Sequence, residues 1–314
     1  MAPAIGYLLP TREGVMEGRP EAARLLALAD RAEGLGYDSV WAGDSITSRP
    51  RHEPLTLLAA AAGRTRKVKL GTAVLLPALR NPVVLAHIVA TLDQVSNGRI
   101  ILGIGIAMDL ARIRAEFEAA GVPWDKRIGR MNEAMDLCRA LWSGNPVEWN
   151  GRWRVVADQG LAPPPIQPGG PPIWCGGMAQ PALDRAARHY DGWFPNGPKD
   201  PAEWGRQWAE VKRLAISHGR DPAKMTGAVY LTLALDDDGA RAHKRIDEYL
   251  VSYYGGAVEA LRRHHTYYAG PEEGAAAWLK GYADNGVSHI VLRFAGEHER
   301  QLEAVMRIKK SLGW

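Results

Sequence analysis

Val68-Lys-Leu-Gly-Thr-Ala-Val-Leu-Leu-Pro-Ala-Leu-Arg-Asn-Pro82, followed closely by Gly98-Arg-Ile-Ile-Leu-Gly-Ile-Gly105, decides the fold. Two short apolar runs of β type, each closed by turn residues, bracket a segment with helical apolar spacing over 82–95. That is the βαβ pattern of a parallel sheet. Such sheets gather their chemistry where the strands end.

The same alternation extends in both directions. Strand-like runs recur at 5–9, 39–42, 69–76, 100–104, 173–175, 192–195, 227–235 and 288–294. Between them lie helical patterns at 20–35, 53–65, 82–95, 110–120, 126–142, 181–189 and 201–218, then at 239–254, 258–265 and 271–285, with a last helix to 312. Eight strand–helix pairs with no reversal predict an α/β fold, a closed (β/α)8 TIM barrel forming a single domain over 1–314. Insertions are expected after strands four and seven. The first comprises a hairpin near 146–155 with an Asn150-Gly151 turn and a stiff proline-rich connector over 162–172. An open dinucleotide-binding sheet would carry a glycine fingerprint after its first strand, and there the chain reads Pro10-Thr-Arg-Glu-Gly14.

Composition narrows the partners. The 314 residues are 46% hydrophobic and 24% charged, with a net charge of +4, enough apolar material for a full core. No block of Lys and Arg marks a nucleic-acid surface, so no nucleic-acid partner is expected. No stretch approaches the ~20 apolar residues of a membrane span. The N-terminal residues lack the features of a signal peptide, so a cytoplasmic protein acting on a small-molecule substrate is expected. Cys138 reads as helix core and Cys175 as a packed thiol at a strand end. None of the nine histidines forms an HxH or HExxH pattern, so no metal is expected. No GxSxG elbow is present. For a glycosidase pair, Asp44 and Asp109 are the only obvious carboxylates at strand ends.

Candidate chemistry sits at the C-terminal strand ends. After strand two, Gly43-Asp-Ser-Ile-Thr-Ser-Arg-Pro-Arg-His52 brings Asp44, Ser45, Arg49, Arg51 and His52 to the mouth, where they could bond a ring or substrate. The competing reading is a helix-opening loop with a solvated His52. After strand three, the small residues of Gly71-Thr72-Ala73-Val74 would let a planar ligand approach the backbone, or simply pack. Strand four ends at Leu102-Gly-Ile-Gly-Ile-Ala-Met108-Asp109. After strand five, Cys175-Gly176-Gly177-Met178-Ala-Gln-Pro181 leaves backbone N–H groups free at the positive end of a helix, which suits phosphate. The 11 tryptophans are assigned mostly to core and interface, with Trp41 and Trp174 packing inside strands. The stretch Tyr249-Leu-Val-Ser-Tyr-Tyr-Gly-Gly256 reads as a lid or a dimer contact.

These segments together resemble the luciferase-like superfamily of flavin- and deazaflavin-dependent oxidoreductases. The likeness lies in Gly36-Tyr-Asp-Ser-Val-Trp-Ala-Gly-Asp-Ser45, Leu70-Gly-Thr-Ala-Val-Leu75, Asn81-Pro-Val-Val-Leu-Ala86 and Thr91-Leu-Asp-Gln-Val-Ser-Asn-Gly-Arg99. It continues in Leu102-Gly-Ile-Gly105, Glu116-Phe117, Gly121-Val-Pro-Trp-Asp-Lys-Arg127, Cys175-Gly-Gly-Met178 and Tyr190-Asp-Gly-Trp193. The resemblance implies a TIM barrel, usually a homodimer, that binds coenzyme F-420 or FMN at the C-terminal mouth. It implies a non-prolyl cis peptide at Ala73-Val74 behind the ring, with Thr72 and Met108 also at the cofactor. It further implies phosphate on the backbone of Gly176, Gly177 and Met178, with Asp44 and Ser45 as catalytic groups near ring or substrate.

Two departures matter. Ser45 stands where many relatives have a histidine, so general acid catalysis by histidine is not expected there. Met108 stands where a sugar-phosphate dehydrogenase branch has a glutamate, which disfavours glucose-6-phosphate oxidation. Arg49, Arg51 and Arg80 would suit the acidic tail of F-420, and Arg49, His52 and Arg80 are also placed at the substrate. The leading expectation is F-420-dependent hydride transfer to or from a small organic substrate. The alternatives are an FMN monooxygenase supplied by a separate flavin reductase, and a non-catalytic flavin-binding protein.

Overall fold

The structure is a computed structural model and describes residues 2–158 and 160–314. In chain order the strands are β1 (Ala4–Leu8), β2 (Ser39–Ala42), β3 (Lys69–Thr72), β4 (Ile100–Ile104), β5 (Val147–Asn150), β6 (Arg154–Ala157), β7 (Ile173–Cys175), β8 (Gly192–Trp193), β9 (Thr226–Leu235), β10 (Tyr267–Gly270) and β11 (His289–Phe294). Eight of them close a parallel barrel in the order β1-β2-β3-β4-β7-β8-β9-β11, with β11 returning to β1 through Ala4↔His289. The expected TIM barrel is the observed fold.

Local chemistry explains the elements. The helix Pro82–Ser96 opens where Asn81 Oδ1 accepts from the amides of Val83 (2.9 Å) and Val84 (3.4 Å), with Pro82 preset at the first helical position. It closes on Asn97, whose left-handed backbone turns the chain into β4. Inside the barrel Trp41, Trp174, Phe194 and His289 form an aromatic floor, with the Trp41 and Trp174 rings 5.5 Å apart. Gly71 makes room for it, since a Cβ there would meet the Trp41 ring at 2.2 Å. Cys138 lies in the helix Arg127–Trp142 and is buried against Pro82 O, as expected of core.

Three differences from the expected layout have physical causes. The third strand ends at Thr72, not near 76, because its pairing breaks off after Thr72 and only Leu75 rejoins, as a single bridge beside Ile104; the Ala73–Val74 peptide between them is cis. The hairpin pairs Asn150 with Arg154, so its loop is Gly151 to Trp153 and not a two-residue Asn-Gly turn. The second insertion adds a strand that hydropathy did not reveal: β10 pairs with Thr232–Leu235 of β9, beyond the point where β8 stops. It carries the helices Gly239–Tyr254 and Val258–His264 over the mouth.

Candidate active site

A cleft of about 440 Å3 opens at the C-terminal ends of the barrel strands, within the usual size of a small-molecule site. Ala73 and Val74 form one wall, Gly105 to Met108 and Gly176 to Ala179 the next. Leu8, Phe194, Tyr230 and Arg293 make the floor and far side, beneath Tyr253 and Tyr254 of the second insertion.

The wall at Gly176–Ala179 presents free backbone donors at a helix N-terminus. Gly176 N donates to Ile104 O at 2.9 Å, which ties the loop to β4. Among the described residues the amides of Gly177, Met178 and Ala179 meet no protein acceptor, and the helix Gln180–His189 has no side-chain cap. These unsatisfied donors lie at the positive end of that helix. Gly177 holds φ +110°, and a Cβ there would meet Ala182 Cβ at 2.7 Å, so only glycine keeps this turn open. Behind it stands Arg185, 8% exposed, lining the cleft with its Nε buried and unpartnered. A buried donor left unpaired is costly unless a ligand completes it. Arg185 went unnoticed in the sequence because it sits mid-helix, eight positions past Gly177.

The residues expected to do chemistry are otherwise engaged. The Asp44 carboxylate is 2% exposed and accepts from Leu76 N at 2.9 Å, from Arg80 Nη1 at 2.6 Å and from Arg80 Nη2 at 3.0 Å. Arg80 also reaches Glu53 at 3.1 Å, so it belongs to this ion pair and does not line the cleft. Ser45 Oγ donates to Glu116 Oε1 at 2.8 Å while accepting from Arg49 N at 2.9 Å. Asp44 and Ser45 therefore border the site but spend their polar atoms holding it together. Thr72 Oγ1 donates inward to Gly103 O at 2.8 Å and faces no ligand space. His52 lies outside the cleft, with its ring nitrogens 3.3 Å from Thr11 O and 2.6 Å from Pro20 O. Ala73, Val74, Met108, Gly176, Gly177, Met178 and Arg49 do line it. Cys175 is packed, its thiol pushed up by burial.

Glu116 is the second residue that sequence reading passed over. It is 2% exposed in the helix Ala111–Ala119 and accepts from the backbone of Ile46, Thr47 (2.8 Å) and Ser48 (3.3 Å), and from the Ser45 and Ser48 hydroxyls. Burial raises its pKa, but these donors, led by Ser45, outweigh it and hold the carboxyl below its usual range. Glu116-Phe117 was visible as a motif, yet a partner 70 positions away is not readable from spacing.

On the far side, Arg293 at the end of β11 is 3% exposed. It donates from Nη1 to the Tyr254 hydroxyl at 2.6 Å and from Nη2 to Thr232 Oγ1 at 2.9 Å. With its oxygen accepting from Arg293, Tyr254 retains its own O–H for another acceptor.

The family model described as luciferase-like monooxygenase matches residues 4–313. The chain is 27% identical to the F420-dependent glucose-6-phosphate dehydrogenase of Nocardia farcinica, over 88% of this chain and 89% of that protein. It is 31% identical to the 5,10-methylenetetrahydromethanopterin reductase of Archaeoglobus fulgidus, over 74% of this chain and 67% of that one. The fold is shared with an F420-dependent secondary alcohol dehydrogenase solved with an F420-acetone adduct, at TM-score 0.82 and 20% identity, covering 99% of both chains.

Proposed function

Because this chain belongs to the luciferase-like monooxygenase family, we propose that it is an oxidoreductase transferring hydride between coenzyme F-420 and a small organic substrate. The observation that carries the reading is the anion cradle of Gly177, Met178, Ala179 and unpaired Arg185, set beside the Ala73–Val74 bulge in one cleft. Relatives named as F420-dependent, matching most of the chain, support F-420 over FMN. When bound, the deazaflavin supplies the hydride-carrying ring, and the protein supplies binding and orientation.

Each wall then has a task. The glycine loop and Arg185 hold the cofactor phosphate. Val74 and Ala73 back the ring, and the Asp44–Arg80 pair fixes that segment through Leu76 N. Glu116 fixes the 45–48 turn, which presents Arg49 to the opposite side. The Tyr254 hydroxyl, oriented by Arg293, is the group placed to give a proton to the substrate or take one from it. It replaces Asp44 and Ser45 in that role, since their oxygens are already committed. The helices over the mouth and the apolar Val74, Phe194 and Leu8 exclude water.

The reading also takes residues 1–314 as one catalytic domain, cytoplasmic and homodimeric. Among the described residues no helix is long and apolar enough to cross a membrane. The test is parallel fluorescence titration of the purified protein with F-420 and FMN. Tight F-420 binding with weak FMN binding supports the reading, followed by a screen of alcohols, aldehydes and activated alkenes for F-420 reduction or reoxidation. Tight FMN binding with weak F-420 binding would instead make it a flavin monooxygenase needing a reductase.

A further inference from the structure

Four arginines line the cleft, Arg49, Arg51, Arg185 and Arg293, and none pairs with a carboxylate among the described residues. The two cleft carboxylates, Asp44 and Glu116, are already neutralised by Arg80 and by the 45–48 amides. Arg185 is accounted for by the phosphate cradle. The other three are not, and they gather at a different place.

That place is the Tyr253–Tyr254 pair. Arg293 lies 5.1 Å from the Tyr253 ring and 5.4 Å from that of Tyr254. Arg49 lies 4.7 Å over Tyr254, Arg51 5.7 Å over Tyr253, and Arg12 4.9 Å over Tyr253. Arg112 adds a fifth guanidinium, donating to Tyr254 O at 3.1 Å. The nearest counter-charge is Glu13, whose carboxylate accepts from the Tyr249 hydroxyl at 2.7 Å. Aromatic faces attract cations but do not neutralise them. The Arg49 Nε is moreover buried with no acceptor. The excess positive field registers on His265, whose ring lies tilted 4.0 Å from that of Tyr254: burial first, then Arg293 and Arg49, push its pKa down to about 4.

Resting on the hydride-transfer reading, we propose that the substrate carries a compact anionic group, a carboxylate or a phosphate, held by Arg293 and Arg49, which leaves the Tyr254 hydroxyl for the substrate atom that exchanges a proton. Arg293 donates from Nε and Nη2 to Thr232 Oγ1 and from Nη1 to the Tyr254 hydroxyl, all neutral partners, so its charge still lacks a counter-ion that either oxyanion would supply. The anion anchors one end of the substrate, and its reacting carbon then extends toward the Ala73–Val74 wall. The acidic tail of F-420 is the competing occupant of these arginines. Against it, Arg293 is 3% exposed among the Tyr230, Tyr249, Tyr253 and Tyr254 rings, a setting that suits a compact group and not a long flexible tail.

Isothermal titration calorimetry of the full chain, with and without F-420, tests this using inorganic phosphate and succinate as separate probes in a non-coordinating buffer. The wild type is expected to bind one of them, which identifies the oxyanion. Arg293→Gln should weaken that probe about tenfold or more. At F-420 concentrations that fill the cradle, Arg185→Gln should leave the probe within about twofold while weakening F-420 itself. Should Arg293→Gln not fold, judged by circular dichroism, Arg49→Gln at the cleft edge carries the same expectation. The proposal is overturned if neither probe binds the wild type, or if, with the cradle filled by F-420, Arg185→Gln weakens the probe as much as Arg293→Gln does. It is equally overturned if Arg293→Gln weakens F-420 and spares the probe, which assigns the arginines to the cofactor tail. Probe binding that depends on Arg293 in a protein unable to bind F-420 would keep the anion site and remove the cofactor reading.

Discussion

Arg80 grips Asp44 with both terminal nitrogens, Nη1 2.6 Å from Oδ2 and Nη2 3.0 Å from Oδ1, and the same Oδ2 accepts from Leu76 N at 2.9 Å. A carboxylate so placed is a strut between the loop after β2 and the segment after β3. It settles the orientation of the wall against which a ring would lie.

Asp44→Ala leaves Arg80 buried without its partner and Leu76 N without an acceptor. The variant should lose about 2–3 kcal/mol of stability, less than for a fully buried pair because Arg80 is 17% exposed. Urea unfolding of Asp44→Ala, Arg80→Met and the double variant forms the cycle. A double variant close to the singles' sum would show that the pair does not act as a unit.

Glu116 makes the mouth acid-sensitive. Its folded pKa is depressed, so the stability it contributes is fully present above its ordinary carboxylate range and is lost as pH falls through the folded value. Thermal melts of wild type and Glu116→Gln across the acid range should therefore converge as pH drops. Parallel curves at all pH values would mean that the 45–48 turn does not depend on this charge.

Gly177→Val places a β-branched residue at φ +110° with its Cβ against Ala182. Strain of about 1–3 kcal/mol should fall on the loop and weaken F-420 about ten- to hundredfold, with Gly177→Ala milder. Arg185→Gln should weaken F-420 and FMN but not riboflavin, which lacks the phosphate. Equal losses for FMN and riboflavin in a fluorescence titration would remove the phosphate from this loop.

Tyr254→Phe keeps the ring stacked on Arg49 and removes the hydroxyl that Arg293 orients. Turnover should drop about a hundredfold at unchanged F-420 affinity, the scale of losing a positioned acid–base group. A kcat within threefold of wild type would return the proton-handling role to solvent or another group.

Much of the frame was legible because barrels write themselves in short-range patterns. The β2, β4 and β7 runs coincide with the apolar stretches 39–42, 100–104 and 173–175, since a strand buried on both faces reads as continuous hydrophobics. The glycines of 176–177 were legible for a similar reason, as a backbone turn before a helix has its own residue signature. β10 was not, because Tyr267-Tyr-Ala-Gly270 is half-exposed and pairs only where β9 outruns β8.

The sequence by itself determined the alternation of strands and helices, the family, and the glycine turn that bares amides for an anion. These are local properties, carried by apolar period, caps and backbone freedom. Only the tertiary structure decided which polar groups are free to act. Asp44 and Ser45 read as mouth residues, yet Arg80 and Glu116, 36 and 71 positions away, consume their oxygens. Arg185 and Arg293 looked unremarkable in sequence and Tyr254 stood out only within a lid or dimer contact, yet they emerged as the cations without a carboxylate partner and the available hydroxyl. A side chain's chemistry depends on what already satisfies its hydrogen bonds and charge, and that is set by contacts between distant segments.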